Sequence, residues 1–490
     1  MKRLLSLGLA ALLALGLAAL LALTLAACGG QTPAVTESPA STQTPETAPE
    51  QTTEAALPAV AGDFYAVQGS MGYNSLFNAG DVFYELRPRT GYCLVYKIDC
   101  ATATRQVLCN VPGCTHDSES CPAWLPGRLW DYTIFAAGDT VYVYKYRTSW
   151  EEMDWDTYYQ NNVAPYLGEE STRSGMTPEE FTTYHHNIYT QQVQPACLYA
   201  VGRDGSAQRR IDLSKNLEGT VYLGWCDGTA LYGSRSGSDN SDPSQGYRVD
   251  LATGQVKNFA LQPGESVLAA QGRRLVTARF VTQIPLPDAE TDGEAYQAAL
   301  QNSTVECDWL DPVTGQREKL LELPGKLFTE NSDFCGMAGG LLYFSQRETQ
   351  PDGSNVCTAI RAFDLETGQW QEMPHSLTEA GVWLNDPTVV GLPGIAAQAG
   401  RYLLLVVSDG NGNMRMQILD RDTDTLQQTG LTPKQVQNQQ DRGQLPLTDD
   451  GRFLLCVEED KKYDFSYALI DAEAFLQGST DYTPVTTIQR

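Results

Sequence analysis

Two kinds of turn alternate along most of this chain, and their rhythm constrains the fold more than any other feature. The first kind places a glycine before an alternating apolar run, at Gly80, Gly138, Gly228, Gly272, Gly339, Gly400 and Gly451. The second kind places an aspartate between an apolar stretch and a polar one, at Asp99, Asp204, Asp250, Asp311, Asp364, Asp422 and Asp471. Glycine adopts a positive φ at little cost, and an aspartate side chain accepts hydrogen bonds from backbone N–H groups two residues on. Both patterns therefore predict tight turns between strands.

An all-β fold follows from this alternation. Two hairpins per repeat make a four-stranded antiparallel sheet, and a repeat of about fifty residues is typical of the blades of a β-propeller. We therefore expect a single β-propeller over residues 61–490, with seven four-stranded blades. A strand predicted over residues 63–67 would complete the last blade and close the ring. A pair of β-sandwiches is the alternative, but a sandwich has no reason to repeat its turn chemistry seven times.

Two repeats carry inserts, over residues 149–195 and residues 284–303. In the first insert, Thr177 and Glu180 form a capping-box pattern with Pro178 at the first helical position, which predicts a helix from Pro178 to about Gln192. The second insert predicts a short helix over residues 292–301. Inserts of this kind are expected on one face of the disc, where propellers usually bind their ligands.

The first 27 residues have the composition of an export signal. Lys2 and Arg3 precede a predominantly apolar, uncharged run over residues 4–25, which matches the n-region and h-region of a signal peptide. The run is also long enough to span a bilayer, so a retained transmembrane helix is the alternative. The sequence Leu-Ala-Ala-Cys that ends at Cys28 resembles the lipobox of bacterial lipoproteins. The resemblance implies that Cys28 becomes the N-terminus after cleavage, carries a diacylglyceryl thioether, and anchors the protein to the cell membrane, facing outside the cytoplasm.

Residues 28–60 are rich in Thr, Pro, Glu and Ala and contain no aromatic or basic residue. Such a composition cannot bury a core, so we predict a disordered tether that reaches roughly 30 Å. The mature chain keeps 32 of the 34 basic residues and all 60 acidic ones, which gives a formal charge of −28. This charge opposes binding to nucleic acid or to anionic lipid head groups through a basic patch.

The stretch TDDGRFLLCV around Gly451 resembles the S-P-D-G-x-x-L strand of TolB-type propellers, with Thr448 and Asp449 in place of Ser-Pro. Residues 61–490 as a whole resemble the propeller lipoproteins of Gram-positive anaerobes, many of which have a receptor-like propeller domain with no assigned activity. The resemblance implies a fold and a location, and it implies no reaction.

Cys109, Cys114, His116 and Cys121 lie close together in a C-x4-C-x-H-x4-C pattern. Four such side chains can bind zinc, but the spacing departs from that of the common C-x2-C fingers. In an exported protein the thiols are open to oxidation, and the turn at Gly113 lets Cys109 and Cys114 approach each other. We therefore favour a local disulfide staple, with zinc and free thiols as the alternatives. No other cofactor is expected.

The sequence contains no complete catalytic constellation. The nearest match to the G-x-S-x-G nucleophile motif, at residues 233–237, has Arg235 at the nucleophile position. His185 and His186 are adjacent on the predicted helix, so their side chains diverge by about 100° and do not form a two-ligand face. We expect a binding or scaffold protein. The alternative is a propeller enzyme, a lyase or a glycan hydrolase, with its site at the channel mouth.

The first insert is aromatic and acidic, and we place the ligand site there. The candidate contacts are Trp150, Trp155, Tyr158 and Tyr159, and Trp155 is expected to be exposed. Flat amphipathic rings suit stacking on a glycan or packing on an envelope protein. The alternative is that these rings only pack on the end of the disc.

Overall fold

The structure, a computed structural model, describes parts of the chain between residues 62 and 488. They are residues 62–67, 75–89, 91–147, 151, 153–168, 175–213, 216–218, 221–235, 244–287, 292–328, 332–338, 340–349, 355–372, 402–408, 414–420, 423, 425–432, 434–436, 446–461 and 464–488. The predictions for the signal peptide, Cys28 and the tether therefore lie outside the described residues.

The described chain is mostly β-strand. The first strands in chain order are β1 (Tyr65–Ala66), β2 (Leu76–Asn78), β3 (Val82–Arg89), β4 (Tyr92–Asp99), β5 (Thr104–Val107), β6 (Trp124–Pro126), β7 (Tyr132–Ala137), β8 (Thr140–Lys145), β9 (Cys197–Gly202), β10 (Gln208–Asp212), β11 (Val221–Cys226), β12 (Ala230–Arg235), β13 (Gln245–Asp250) and β14 (Val256–Ala260). They are followed by β15 (Ser266–Gln271), β16 (Arg274–Val281), β17 (Thr304–Leu310), β18 (Arg317–Pro324), β19 (Ser332–Ala338), β20 (Leu341–Thr349), β21 (Asn355–Asp364), β22 (Gln369–Glu372), β23 (Tyr402–Ser408), β24 (Met414–Asp420), β25 (Thr425–Gln428), β26 (Arg452–Lys461), β27 (Asp464–Asp471), β28 (Thr483–Pro484) and β29 (Thr486–Thr487).

Short helices lie between some of these strands. They are α1 (Trp155–Asn162), α2 (Pro178–Gln192), α3 (Gly293–Gln301), α4 (Ala472–Leu476), η1 (Leu129–Asp131), η2 (Ala164–Tyr166) and η3 (Gly325–Phe328). The predictions of α2 and α3 are confirmed, and the capping box of α2 joins Thr177 and Glu180 in both directions. No helix in the described part of the chain combines the length and apolar composition needed to cross a lipid bilayer.

The described strands form seven separate sheets, in which every pairing is antiparallel except that of β29 with β5. Sheet I has the order β2-β3-β4-β5-β29 with β6 also paired to β4, sheet II β10-β9-β8-β7, sheet III β1-β11-β12-β13-β14, sheet IV β15-β16-β17-β18, sheet V β19-β20-β21-β22, sheet VI β23-β24-β25, and sheet VII β26-β27-β28. Apart from β1, β6 and β29, each sheet is a meander of strands taken in chain order.

The predicted turns explain this meander. Gly80, Gly138, Gly228, Gly272 and Gly451 each take a positive φ between neighbouring strands or at a strand start. In the fifth repeat Gly340 takes the positive φ, one residue after the predicted Gly339, which is not among the described residues. Five aspartates of the described chain begin hairpin turns as predicted, and the side chain of each accepts a hydrogen bond from a backbone N–H group. They are Asp99, Asp204, Asp250, Asp311 and Asp364.

Two predicted details are wrong. Asp471 does not begin a hairpin turn, because its side chain caps α4 by accepting the N–H of Ala474. The strand near residues 63–67 does not complete the last sheet. It is β1, and it pairs with the first strand of sheet III through Tyr65 and Ala66. The last sheet is instead extended by the bridge between Leu447 and Phe453, which leaves no vacant first position for β1.

Shared hydrophobic clusters show which sheets are neighbours. One cluster joins sheets I, II and III, a second joins III, IV and V, a third joins VI and VII, and a fourth joins VII and I. The described sheets therefore pack in the order VI, VII, I, II, III, IV, V. Inner strands such as β7 are buried on both faces, whereas the last strand β10 is largely exposed.

A polar cluster that we call the C-terminal latch joins sheets VII and I. Arg105 of β5 donates to the backbone oxygen of Phe465 at 2.7 Å and to the hydroxyl of Thr487 at 2.8 Å. The guanidinium of Arg105 also lies 3.5 Å from the carboxylate of Glu85, which accepts a hydrogen bond from the Tyr467 hydroxyl at 2.8 Å. Glu85 is fully buried, so this network places a charged pair inside the contact between the first and last sheets.

Candidate metal centre

The Cys/His stretch interrupts the last strand of sheet I. Both β5 and β6 pair with β4, where Val95 also bonds Leu108 and Ala123, and residues 109–122 leave the sheet between them. We call these residues the Cys/His excursion. Cys109 lies just beyond β5, and Cys121 lies just before β6, where its backbone oxygen accepts the N–H of Trp124. The two cysteines are therefore held at the base of the excursion by the sheet itself.

Local backbone turns bring the remaining two side chains back toward this base. The N–H of Cys114 donates to the oxygen of Val111, in a turn where Gly113 has a φ of +71°. His116 also has a positive φ, +60°, which a residue with a side chain rarely adopts. A conformation of this kind persists only where the surroundings hold it, and it is common at binding sites.

The four side chains converge. The ligand atoms of Cys109, Cys114, His116 and Cys121 all lie within 4.8 Å of one another, and His116 Nδ1 is 3.3 Å from Cys121 Sγ. Sulfur atoms around a tetrahedral zinc ion stand roughly 3.8 Å apart, given a Zn–S distance of about 2.3 Å. The arrangement is thus compact enough to close around one ion with small movements of the side chains.

The surroundings favour neutral thiols as long as no cation is present. Burial raises the pKa of Cys121 to about 12 and also raises the pKa of Cys109. Burial lowers the pKa of His116, which keeps the imidazole in the neutral form that binds metals. A metal ion at the centre would supply the positive charge that stabilises deprotonated thiols.

The structure does not show the disulfide staple that we favoured from the sequence. Cys109, Cys114 and Cys121 are free thiols, as are the buried Cys93 and Cys100 of the same sheet. The three sulfur atoms and the imidazole nitrogen all lie within 4.8 Å of one another. No two of the cysteines therefore stand apart from the third as a disulfide-bonded pair.

The Cys/His excursion packs against sheet II. The N–H of Asn110 donates to the oxygen of Gly205, and Gln208 Nε2 donates to the oxygens of Pro122 and Trp124, each at 2.9 Å. A Cβ atom on Gly205 would lie 2.9 Å from the backbone nitrogen of Cys109, so the contact requires a glycine at this position. The sequence contains no separate signal for this contact.

The helical insert forms a second candidate site between β8 and β9. Its helices α1 and α2 share a small core around the buried Tyr158 and Phe181. The helix α1 was not predicted, although Asp154 caps it by accepting the N–H of Thr157. The base of the insert is closed by a buried ion pair between Arg147 and Glu151, whose atoms are 2.9 Å apart.

The candidate contact residues of the insert pack mostly against one another. The ring of Trp155 is half-buried and contacts Tyr158, Tyr159, His186 and Tyr189 at centroid distances of 5.6, 5.8, 4.5 and 5.3 Å. The expectation that Trp155 is exposed is therefore wrong, because the unpredicted helix α1 turns its ring onto α2. Trp150 is not among the described residues.

Other rings of the insert face solvent. Tyr166 is 47% exposed and Tyr184 is 50% exposed. His185 lies with its Nδ1 3.2 Å from the hydroxyl of Tyr158, whereas His186 packs on Trp155. The two histidines thus diverge as predicted.

Known proteins give little further guidance. No protein-family model matches the sequence, and no curated protein matches it. Solved structures that are similar to this chain are β-propellers. The β-propeller domain of the Trilobed protease from Pyrococcus furiosus is 8% identical over 86% of this chain and 98% of that chain, with a TM-score of 0.40. TolB from Acinetobacter baumannii is 11% identical over 80% and 77%, with a TM-score of 0.29. An oligogalacturonate lyase in complex with manganese is 11% identical over 69% and 73%, with a TM-score of 0.34. At these TM-scores the similarities assign no activity, and the architecture rests on the sheets described above.

Proposed function

We propose that this chain is a lipid-anchored, extracytoplasmic β-propeller that binds one zinc ion through Cys109, Cys114, His116 and Cys121 and serves as a binding or scaffold protein. The observation that carries the proposal is the convergence of four ligand atoms within 4.8 Å. Three thiolates and an imidazole form a Cys3His set, which is a common tetrahedral zinc site. Soft thiolate ligands disfavour magnesium and calcium, which take oxygen ligands.

The proposed zinc ion has a structural role and not a catalytic one. Four protein ligands leave no coordination position for water or substrate, which a catalytic zinc ion requires. Cys109 and Cys121 are buried and belong to the hydrophobic cluster of sheets I, II and III. The ion would therefore hold the Cys/His excursion against sheet II and stabilise the boundary between two blades.

The seven sheets and their packing order support the propeller. Apart from β1, β6 and β29, each sheet is a meander of strands in chain order. Hydrophobic clusters join consecutive sheets from I to V, and from VI through VII back to I. Sheets VI and VII have three paired strands each. The bridge between Leu447 and Phe453 marks a fourth strand for sheet VII. The expected first strand of sheet VI falls in residues 373–401, outside the described residues.

The lipid anchor rests on the lipobox at Cys28. Two acyl chains on one cysteine provide the two hydrophobic anchors that stable membrane attachment requires. The tether of residues 28–60 would then connect the lipid to the propeller at Gly62.

The helical insert supplies the surface for a partner. The rings of Tyr166 and Tyr184 are exposed, and the first turns of α1 and α2 carry Asp156, Glu179 and Glu180. An acidic aromatic surface repels anions and suits an uncharged glycan, whose sugar rings stack on tyrosine.

Zinc is tested on the full-length chain, purified from membranes in detergent without chelators and without oxygen. Zinc is quantified by plasma mass spectrometry for the unchanged chain and for Cys114→Ala. We expect about one zinc ion per chain, and its loss in the variant. Cys307→Ala is the matched control, because Cys307 is a buried free thiol in sheet IV and should leave the zinc content unchanged.

Thiol labelling of the same samples after unfolding decides between the alternatives. If the unchanged chain holds no more zinc than Cys114→Ala and at least two of its thiols resist labelling until a reductant is added, the site is a disulfide and the zinc proposal is wrong.

The glycan surface is tested by pelleting the purified chain with insoluble, uncharged cell-wall polysaccharide. We expect Tyr184→Ala combined with Tyr166→Ala to abolish pelleting. Ile284→Ala is the control, because Ile284 is 61% exposed in the other insert. Equal pelleting of all three chains would move the ligand site elsewhere.

A further inference from the structure

The strand β1 and the residues beside it touch the first strands of several sheets. The ring of Tyr65 lies 6.1 Å from the ring of Phe77 in β2, and its hydroxyl donates to the oxygen of Ala136 in β7 at 2.9 Å. The backbone of Tyr65 pairs with Cys226 in β11. The N–H of Phe64 donates to the oxygen of Gly272, directly after β15, at 2.7 Å.

These contacts locate the segment within the ring of sheets. β2, β7, β11 and β15 are the first strands of sheets I, II, III and IV. In a propeller the first strand of each blade lines the central axis, so a segment of six residues that touches four of them lies on that axis. In the proposed propeller, residues 62–67 therefore lie in the central channel.

The direction of β1 shows where the chain enters. It runs antiparallel to β11, which leads toward the Gly228 turn. Gly62 lies beside the backbone oxygen of Asp227, Phe64 is bonded to Gly272, and Val67 donates deeper, to the oxygen of Gly224. The chain thus enters at the face that carries the glycine turns between first and second strands, which we call the glycine-turn face.

The helical inserts lie at the opposite face. The insert with α1 and α2 joins β8 to β9, and the insert with α3 joins β16 to β17. Both are connections from a second to a third strand. In an antiparallel meander such connections lie at the end of the sheet opposite to the first-to-second turns. We call this the insert face.

We infer that the anchored protein is held with its glycine-turn face toward the membrane, so that the insert face points away from the cell and is the surface available to an external glycan. This inference rests on the proposed lipid anchor at Cys28. A tether of about 33 residues has a root-mean-square reach of roughly 30 Å. To turn the insert face toward the membrane, the tether would have to run out past four strands, about 15 Å, and then down a strand of about 20 Å. That path of about 35 Å exceeds the root-mean-square reach of the tether and is entropically disfavoured.

The orientation is measured by energy transfer from the protein to the lipid surface. The full-length lipidated chain is reconstituted in liposomes that contain an acceptor-labelled lipid. A donor dye is attached through Arg273→Cys, in the exposed Gly272 turn, or through Tyr184→Cys, in the insert. The unsubstituted chain gives the background from its own thiols. We expect clearly higher transfer from position 273 than from position 184, and a larger difference when residues 36–55 of the tether are deleted.

The two possible failures are distinguishable. Flotation of the liposomes tests the anchor, since the chain should float and Cys28→Ala should not. If the chain does not float, the proposed lipid anchor is wrong, and the proposed orientation is wrong with it. A chain that floats with equal or reversed transfer from the two positions overturns the orientation and leaves the anchor intact.

Discussion

Removing the guanidinium of the C-terminal latch should destabilise the contact between sheets VII and I. In Arg105→Ala the carboxylate of Glu85 remains fully buried, but it loses its ion pair with Arg105. The backbone oxygen of Phe465 and the hydroxyl of Thr487 lose their donor as well. Removing one partner of a buried, hydrogen-bonded ion pair costs about 3–5 kcal/mol.

This free energy converts to a measurable shift in melting temperature. An unfolding entropy of about 2.1 cal/mol/K per residue over about 430 residues gives ~0.9 kcal/mol/K. The expected drop in Tm is therefore about 3–6 °C. Circular dichroism at the β-sheet minimum measures it, with the zinc content of the two chains matched.

Arg273→Ala is the control for the loss of an arginine. Arg273 lies exposed in the Gly272 turn, and a surface substitution of this kind changes stability by less than about 0.5 kcal/mol. A melting temperature of Arg105→Ala within 1 °C of this control would refute the reasoning, because it would show that the latch does not stabilise the contact between the first and last sheets.

Three further predictions follow from single residues. Cys28→Ala should shift the chain from the membrane fraction to the soluble one; an identically processed chain that stays in the membrane would identify a transmembrane anchor instead. Gly205→Ala should lower the urea midpoint more than Gly228→Ala. Both positions have a positive φ, which an alanine adopts at a cost of about 1 kcal/mol. Only Gly205→Ala also places a Cβ atom 2.9 Å from the backbone nitrogen of Cys109. Burial, followed by a neighbouring carboxylate, raises the pKa of Asp308. A carboxyl whose pKa is raised on folding destabilises the fold as the pH rises above its unfolded value of about 3.9, so Asp308→Asn should raise Tm at pH 7 but not at pH 3.

Short-range chemistry was predictable from the sequence wherever one residue type determines the local backbone. The turn at Gly80 requires a positive φ, and the capping box of Thr177 and Glu180 satisfies the first N–H groups of α2, so both could be located by reading the chain. The same reasoning failed at Asp471, since an aspartate before a helix and an aspartate before a hairpin have the same local pattern.

Long-range partners could not be predicted in this way. Nothing near residues 63–67 indicates that β1 pairs with β11, because a two-residue strand has no pattern that selects its partner. The convergence of the four Cys/His side chains likewise depends on the left-handed backbone at His116, beside which the imidazole lies 3.3 Å from the sulfur of Cys121. Trp155 was misplaced because its neighbours on α2 lie about thirty residues away in the chain.

The pairing of β29 with β5 also determines when the fold can be completed. Arg105 and Thr487 are separated by 382 positions, and closing a loop of that length costs about 5 kcal/mol in chain entropy before the contact forms. The outer edge of sheet I therefore stays unpaired until the last residues of the chain are available. Contacts so distant in sequence slow folding and leave strand edges exposed in intermediates. Sheet I, whose strands β2 to β6 lie early in the chain, is thus completed only when residues 486–487 pair with β5, and loss of β29 would leave its edge open to other chains.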